Sequence, residues 1–189
     1  MKMFTIFFLL FMLVMAMQRI WETFFAKKIR RGKIFNKWTF PVLSTLHFIV
    51  GIGTVVEYFS VHRNINYMIS CAGFIMFVIA FILRRWAVRA LGDYHSIHIE
   101  IREKHPLIKR GPYYYLRHPY YLSVILELLG LPLVGNAFFS FAFSLFVYVP
   151  FLLLRIYLEE QAMIATFNGE YLKYKNDTPG FFPLSKLIS

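Results

Sequence analysis

One cysteine, Cys71, is all the sequence holds, which excludes a disulfide framework and a cysteine-rich metal site. Charge is scarce as well: 16% of the 189 residues are charged and 58% are hydrophobic. With a mean hydropathy of +0.54, the chain carries more apolar surface than one soluble core of this size can hide. Acidic residues are the rarest charge, 10 against 21 Lys and Arg, for a net charge of +11. In a soluble protein that balance suggests nucleic acid. Here the basic residues gather at the ends of apolar stretches, where they meet anionic headgroups and set orientation. No internal repeat, phosphate-binding Gly loop or metal-ligand spacing of His, Cys and carboxylates is present.

The apolar stretches are the dominant signal. The first runs from Met3 to Met17 and continues through Trp21 and Phe25, with no small-residue cleavage site that would make it a removable leader. A second covers Phe40 to Phe59 and a third Tyr67 to Leu83, its helix stopping at Gly92. A fourth, Tyr120 to Val134, is divided by Gly135-Asn136 from a fifth, Ala137 to Leu154. In lipid each span must satisfy its own backbone hydrogen bonds, so helices are the expected form. The fourth falls short of the roughly 20 residues a span needs, and with the fifth it reads as a tight helical hairpin. The predicted fold is an all-α integral membrane protein of about five transmembrane helices with a cofactor pocket on its cytosolic face. Residues 1–91 form the N-terminal helices. Residues 92–189 carry a polar loop, the hairpin and an amphipathic tail.

Loop charge sets the orientation. Residues 26–37, 84–119 and the tail are rich in Lys and Arg, whereas 61–66 and 135–136 are nearly free of them. An outside N-terminus and a cytosolic C-terminus satisfy every loop. Within the polar loop, Ile97, Ile99 and Ile101 alternate with His98, Glu100 and Arg102, a period of two that predicts a short strand. Cys71 reads as a small packing residue, and Glu57 as an interfacial carboxylate.

Chemistry-bearing residues concentrate in the second half. The run His105 to Tyr121 has a Gly111-Pro112 turn and Pro119 suited to the first turn of a helix. Amides at that helix start, with Arg117 and His118 before it, favour a carboxylate or phosphate. An aromatic belt with snorkelling arginines is the plainer reading. Arg155 and Glu159 share one helix face at the exit of the fifth span, and the hairpin brings them to the depth of His118. Glu127 within the fourth span has to face a cavity or a partner, either an acceptor headgroup or a structural hydrogen bond. His47, within the second span, reads as a hydrogen-bonding group between helices.

The order H-x-L-[VI]-x-x-G-x-Y-x-x-x-R-H-P-x-Y, then R-I-x-x-E-E, then F-x-x-E-Y-x-x-Y, resembles the isoprenylcysteine carboxyl methyltransferase family. The matching residues are His105, Leu107, Ile108, Gly111, Tyr113, Arg117, His118, Pro119 and Tyr121, followed by Arg155, Ile156, Glu159, Glu160, Phe167, Glu170, Tyr171 and Tyr174. The resemblance covers roughly residues 84–183. It implies S-adenosyl-L-methionine as methyl donor, with His105, Pro106, Leu107, Ile108, Tyr113, His118, Pro119, Tyr120, Tyr121 and Glu159 lining the cofactor site. His98 stands where the family often has a cofactor-contacting Gln. Arg155 faces the acceptor, in the family a lipid-tailed carboxylate, and Arg155 and Glu159 are the catalytic pair expected. The extra N-terminal spans of eukaryotic members are absent, and the segment from Leu126 to Leu133 is closer to short bacterial relatives, some of which methylate alkylpyrone hydroxyls. A bacterial inner membrane follows as the expected location.

The residues agree with such a donor. Tyr113 and Tyr121 offer aromatic faces for a cation or purine, and Glu159 an acceptor for amine or ribose groups. In-line methyl transfer needs alignment and no metal. A carboxylate acceptor needs no base, whereas a phenol or enol profits from one, with His98 and Glu100 as candidates. A phospholipid amine acceptor, a reductase and a non-enzymatic membrane subunit are the competing readings.

Overall fold

The computed structural model describes residues 2–24, 33–61, 63–96, 99–101 and 107–181. In chain order these form α1 (Lys2–Phe24), β1 (Lys33–Phe35), α2 (Thr39–Ser60), α3 (Tyr67–Leu91), β2 (Ile99–Ile101), α4 (Pro119–Val134), α5 (Phe138–Phe143), α6 (Val149–Phe167) and α7 (Gly169–Asp177). Ser144–Tyr148, between α5 and α6, is a π-helical turn that keeps the helix continuous. Four stretches are long and apolar enough to cross a bilayer: Lys2–Glu22, Thr39–Ser60, Tyr67–Tyr94 and Phe138–Phe167. α4 is shorter, at 16 residues, and equally apolar. The protein is an all-α, multi-pass membrane protein. Its one sheet among the described residues is a ribbon in which β1 pairs antiparallel with β2, Phe35 opposite Ile99. The strand expected around Ile99 and Ile101 is there; its partner, just before α2, carries no alternation in the sequence.

α4 packs chiefly along α3, and two glycines set how closely. A Cβ on Gly73 would stand 2.7 Å from the Gly130 carbonyl oxygen, and one on Gly130 would stand 2.7 Å from the Gly73 carbonyl oxygen. In lipid such close backbone approach supplies the packing that a hydrophobic driving force supplies in water. α1 joins through side chains: Phe8 stacks on Tyr58 at 4.3 Å, Phe11 meets Phe77 edge-on at 5.1 Å, and the Thr5 and Tyr58 hydroxyls share a 2.8 Å hydrogen bond. Gly135 and Asn136 turn the chain after α4, with Asn136 at φ +54, and α5 follows at once.

Two expectations change, and a third residue gains partners. The last span does not stop at Leu154. The helix runs to Phe167, because Ala162, Leu158, Met163 and Phe167 bury a side against Phe35 of the ribbon, and it ends where Asn168 adopts φ +41. Glu57, expected at the membrane interface, is only 7% exposed and accepts hydrogen bonds from the Phe139 and Ser140 amides (3.0 and 2.8 Å), the Ser140 hydroxyl (2.9 Å) and Arg63 (2.7 Å). It caps α5 from a neighbouring helix. Cys71 lies on the exposed surface instead of packing inside.

Candidate functional site

The end of the bundle opposite Glu57 is built by three local devices. Gly92, at φ +55, stops α3 and turns the chain back. Gly111, at φ +61, lets the Gly111–Tyr114 turn press onto α3, where a Cβ would stand 3.0 Å from that of Ala90. Pro119 then opens α4 without a side-chain cap. Tyr120 and Tyr121, next in that first turn, direct backbone N–H groups out of the helix with no partner among the described residues. The chain beyond α7 folds over this start: the Arg117 and His118 amides donate to the Pro179 and Gly180 carbonyls at 2.9 and 3.2 Å. α7 is tied down as the Tyr174 hydroxyl donates to the Tyr113 carbonyl at 2.6 Å.

Glu160 on α6 gathers the charges there. Its carboxylate accepts from Arg117 Nε at 3.1 Å and Lys175 Nζ at 2.6 Å, and His118 Nε2 lies 2.8 Å away. Arg117 also donates to the Lys175 and Thr178 carbonyls. Two permanent cations thus face one carboxylate, leaving positive charge at this mouth. One turn away, the Tyr121 hydroxyl donates to Glu159 and accepts from Arg155 Nε at 3.0 Å, while Arg155 Nη1 donates to the Thr39 hydroxyl at 2.9 Å. Arg155 and Glu159 are therefore linked through Tyr121 rather than paired directly. Burial raises the Tyr113, Tyr171 and Tyr174 phenols well above their ordinary range, with the Glu159 charge adding to it at Tyr113 and those of Glu160 and Glu159 at Tyr171. All three act as neutral hydroxyls at physiological pH. Burial likewise lowers His95, keeping its ring uncharged.

These groups surround a cavity of about 960 Å³. Leu107, Ile108, Tyr113, His118, Tyr120, Tyr121, Arg155 and Glu159 all line it, as do Tyr171 and Tyr174. From that polar mouth it continues between α1 and α2 as an apolar limb bordered by Met12, Leu13, Phe48, Ile52 and Val56. Leu13, Ile52 and Val56 are more than half exposed, so the limb opens sideways on the outer surface of the bundle.

Not every residue singled out in the sequence falls here. Pro119 is buried as the start of α4 and is not part of the wall. Glu127 does not reach the cavity. Its carboxylate is held by the guanidinium groups of Arg19 and Arg84, which also approach Glu22 at 3.5 Å each. His98, His105 and Pro106 lie outside the described residues, and so does the side chain of Glu100. Conversely, Arg19, His47 and Tyr148 line the cavity. Arg19 carried a signal in the sequence, as an ionisable residue inside an apolar helix. Tyr148 carried none, because the π-helical turn that aims it inward leaves no mark in the residue pattern. Among the described residues no group of three His, Cys, Asp or Glu is placed to hold a metal.

A family model described as the isoprenylcysteine carboxyl methyltransferase family matches residues 73–165, from mid-α3 through most of α6. The chain is similar to uncharacterized protein YpbQ of Bacillus subtilis, 31% identical over 137 residues, 71% of this chain and 80% of that one. It is similar to protein-S-isoprenylcysteine O-methyltransferase of Saccharomyces cerevisiae, 34% identical over 82 residues, 43% of this chain and 34% of that enzyme. Protein-S-isoprenylcysteine O-methyltransferase B of Arabidopsis thaliana is 30% identical over 121 residues, 62% of this chain and 61% of that enzyme. The chain thus spans between a third and three-fifths of these two enzymes. The matched stretch contains Gly111, Pro119, Tyr121, Arg155 and Glu160, the residues that shape the turn, start α4 and build the mouth, and on these grounds the chain belongs to the isoprenylcysteine carboxyl methyltransferase family.

Proposed function

We propose that the protein is a membrane-embedded, S-adenosyl-L-methionine-dependent methyltransferase that methylates a carboxylate or hydroxyl oxygen of a lipophilic acceptor, prenylcysteine-like or alkylpyrone-like. One observation carries this reading: a single cavity joins a polar, positively biased mouth to an apolar limb that opens sideways between α1 and α2. A charged, water-soluble donor and a greasy acceptor can meet there without either leaving its own solvent. The family kinship supports the same reading.

The residues at the mouth fit the donor. The Tyr120 and Tyr121 amides at the start of α4, which have no partner among the described residues, suit its carboxylate. Glu159 suits its amine or ribose hydroxyls, and the Tyr113 and Tyr121 rings and the Leu107 and Ile108 side chains suit its cationic and purine parts. When bound, the donor supplies an electrophilic methyl on a sulfonium. The protein's part is alignment, worth up to roughly 7–11 kcal/mol in favourable cases, and exclusion of water. Arg155, held by Tyr121 and Thr39, is placed to orient the acceptor oxygen. The termini follow from loop charge, outside for the first and cytosolic for the second, so the donor enters from the cytosol of a bacterial inner membrane.

Titration of detergent-purified protein with S-adenosylhomocysteine tests the reading. Saturable binding is expected, weakened at least tenfold in Glu159→Ala and unchanged in Phe146→Ala, a change on the exposed surface of the bundle. Binding absent from the unaltered protein, or equally strong in Glu159→Ala, contradicts it.

A further inference from the structure

Most arginines of the bundle answer a carboxylate: Arg19, Arg63, Arg84 and Arg117 each pair with one. Arg85, Arg89 and Arg110 do not. All three are exposed, and among the described residues none forms an ion pair, not even with Asp93 just past the end of α3. Arg85 and Arg89, four residues apart, share one side of α3. Arg110 joins them from the facing turn, its Nε donating to the Ala90 carbonyl at 3.3 Å. Trp86 completes the group. Its Nε1 would stand 3.3 Å from a Cβ on Gly111, and its ring, 46% exposed, lies 6.4 Å from that of Tyr115. A cation in the last turn of a helix answers the C-terminal dipole, which accounts for Arg89 and for Arg110 on its carbonyl. Arg85 lies more than a turn before Leu91, beyond that reach, with its guanidinium 4.9 Å over the Phe81 ring.

The surface below the arginines says what kind of ligand. Ile75, Ile79 and Ile82 continue the same side of α3 towards the bilayer centre, each at least half exposed. Cations thus stand over an apolar stripe, with an amphipathic tryptophan at the border, the order of a membrane interface. A soluble anion would use the arginines and leave the stripe unused. A second copy laid symmetrically on this face would set like charges against each other. A phospholipid with a net negative head uses both parts. Its phosphate oxygens accept from the guanidinium forks and the Trp86 N–H, and its acyl chains cover the isoleucines. A zwitterionic head would carry its own ammonium into the arginine cluster and gain less.

We propose that Arg85, Arg89, Arg110 and Trp86 form a discrete site for one anionic phospholipid of the leaflet beside the mouth. The general pull of basic loops on headgroups needs no particular residues; this site does. None of the four lines the cavity, so the site stands whether or not the protein transfers methyl groups. Bound there, the lipid ties the end of α3 to the Gly111–Tyr114 turn, because its phosphate bridges arginines from both.

Native mass spectrometry of the full chain in detergent, titrated with dioleoylphosphatidylglycerol or dioleoylphosphatidylcholine, tests this. The unaltered protein is expected to bind the anionic lipid at least tenfold more tightly, and that lipid should raise the thermal midpoint where the other does not. Arg85→Gln/Arg89→Gln should lose at least fivefold of that affinity together with the thermal shift. Arg85→Gln alone should lose at least threefold, which keeps the comparison if the double variant fails to fold. Lys37→Gln/Lys173→Gln removes as much charge from other exposed positions and should bind within twofold of the unaltered protein. Equal affinity for the two lipids overturns the proposal, and so do equal losses in the two double variants, which would show diffuse charge in place of a site. An equal thermal shift from inorganic phosphate at the same concentration overturns it too, by making the ligand a soluble anion.

Discussion

The two ends of the helix bundle treat their polar groups in opposite ways. At one end the Glu57 carboxylate accepts from two backbone amides, a hydroxyl and an arginine, and Arg63 reaches on to the Asn136 carbonyl at 2.7 Å. Asn136 is equally engaged, its amide donating to the Ser70 hydroxyl at 2.7 Å and its side-chain oxygen accepting from the Asn66 amide at 2.9 Å. At the other end two cations share the Glu160 carboxylate, and the Tyr120 and Tyr121 amides at the start of α4 have no partner among the described residues. A saturated cluster fixes a loop; an unsaturated one is built to be completed by something else. Between them, the Arg19–Glu127–Arg84 knot fastens α1 and α3 to α4 and keeps its charges to itself.

That contrast can be broken in order of size. Glu127→Ala strands two arginines inside the bundle, and losing the partner of a buried ion pair costs about 3–5 kcal/mol. The expected result is loss of a folded peak in size-exclusion chromatography, or a collapse of the thermal midpoint in detergent. Glu57→Ala unpairs the start of α5 and should cost about 2–3 kcal/mol by the same measurement, since bonds to a charged acceptor are the stronger ones; S-adenosylhomocysteine affinity, which depends on the far end, should change less than threefold. Gly73→Ala places a Cβ against the Gly130 carbonyl and should cost about 1–3 kcal/mol through displaced helices.

The smallest effect at neutral pH is alkaline. Tyr113, Tyr171 and Tyr174 keep their protons more firmly when folded than when unfolded. Below pH about 10, the ordinary phenol value, both states are protonated and their stabilising difference is fully present. Above it the unfolded chain loses protons first, so stability should fall as pH rises, and phenolate absorbance from these residues should appear only with unfolding. Early phenolate absorbance in the folded protein would show that these hydroxyls are open to water.

How far the sequence could lead follows from the kind of signal each feature leaves. The spans were legible because apolar runs interrupted by Gly92, Pro119 and Gly135-Asn136 are local patterns. Leu107, Tyr113, Tyr121, Arg155 and Glu159 were legible as one wall because the turn at Gly135-Asn136 folds their two stretches together. The partners of the carboxylates were not. Glu57 meets Phe139 and Ser140, and Glu127 meets Arg19, across separations no local pattern encodes. Cavity-lining His47 looks in sequence like any polar residue between helices. The overlong last helix was hidden because its amphipathic end is held by a ribbon formed from two distant strands.

Photolabelling with an azido-adenine analogue of S-adenosylmethionine, followed by peptide mapping, tests the donor pocket most directly. Labelled peptides are expected within residues 107–121 and 155–174, with protection by excess S-adenosylhomocysteine. Protected labelling confined to α1 and α2, or none at all, would contradict a donor site between the start of α4 and α6.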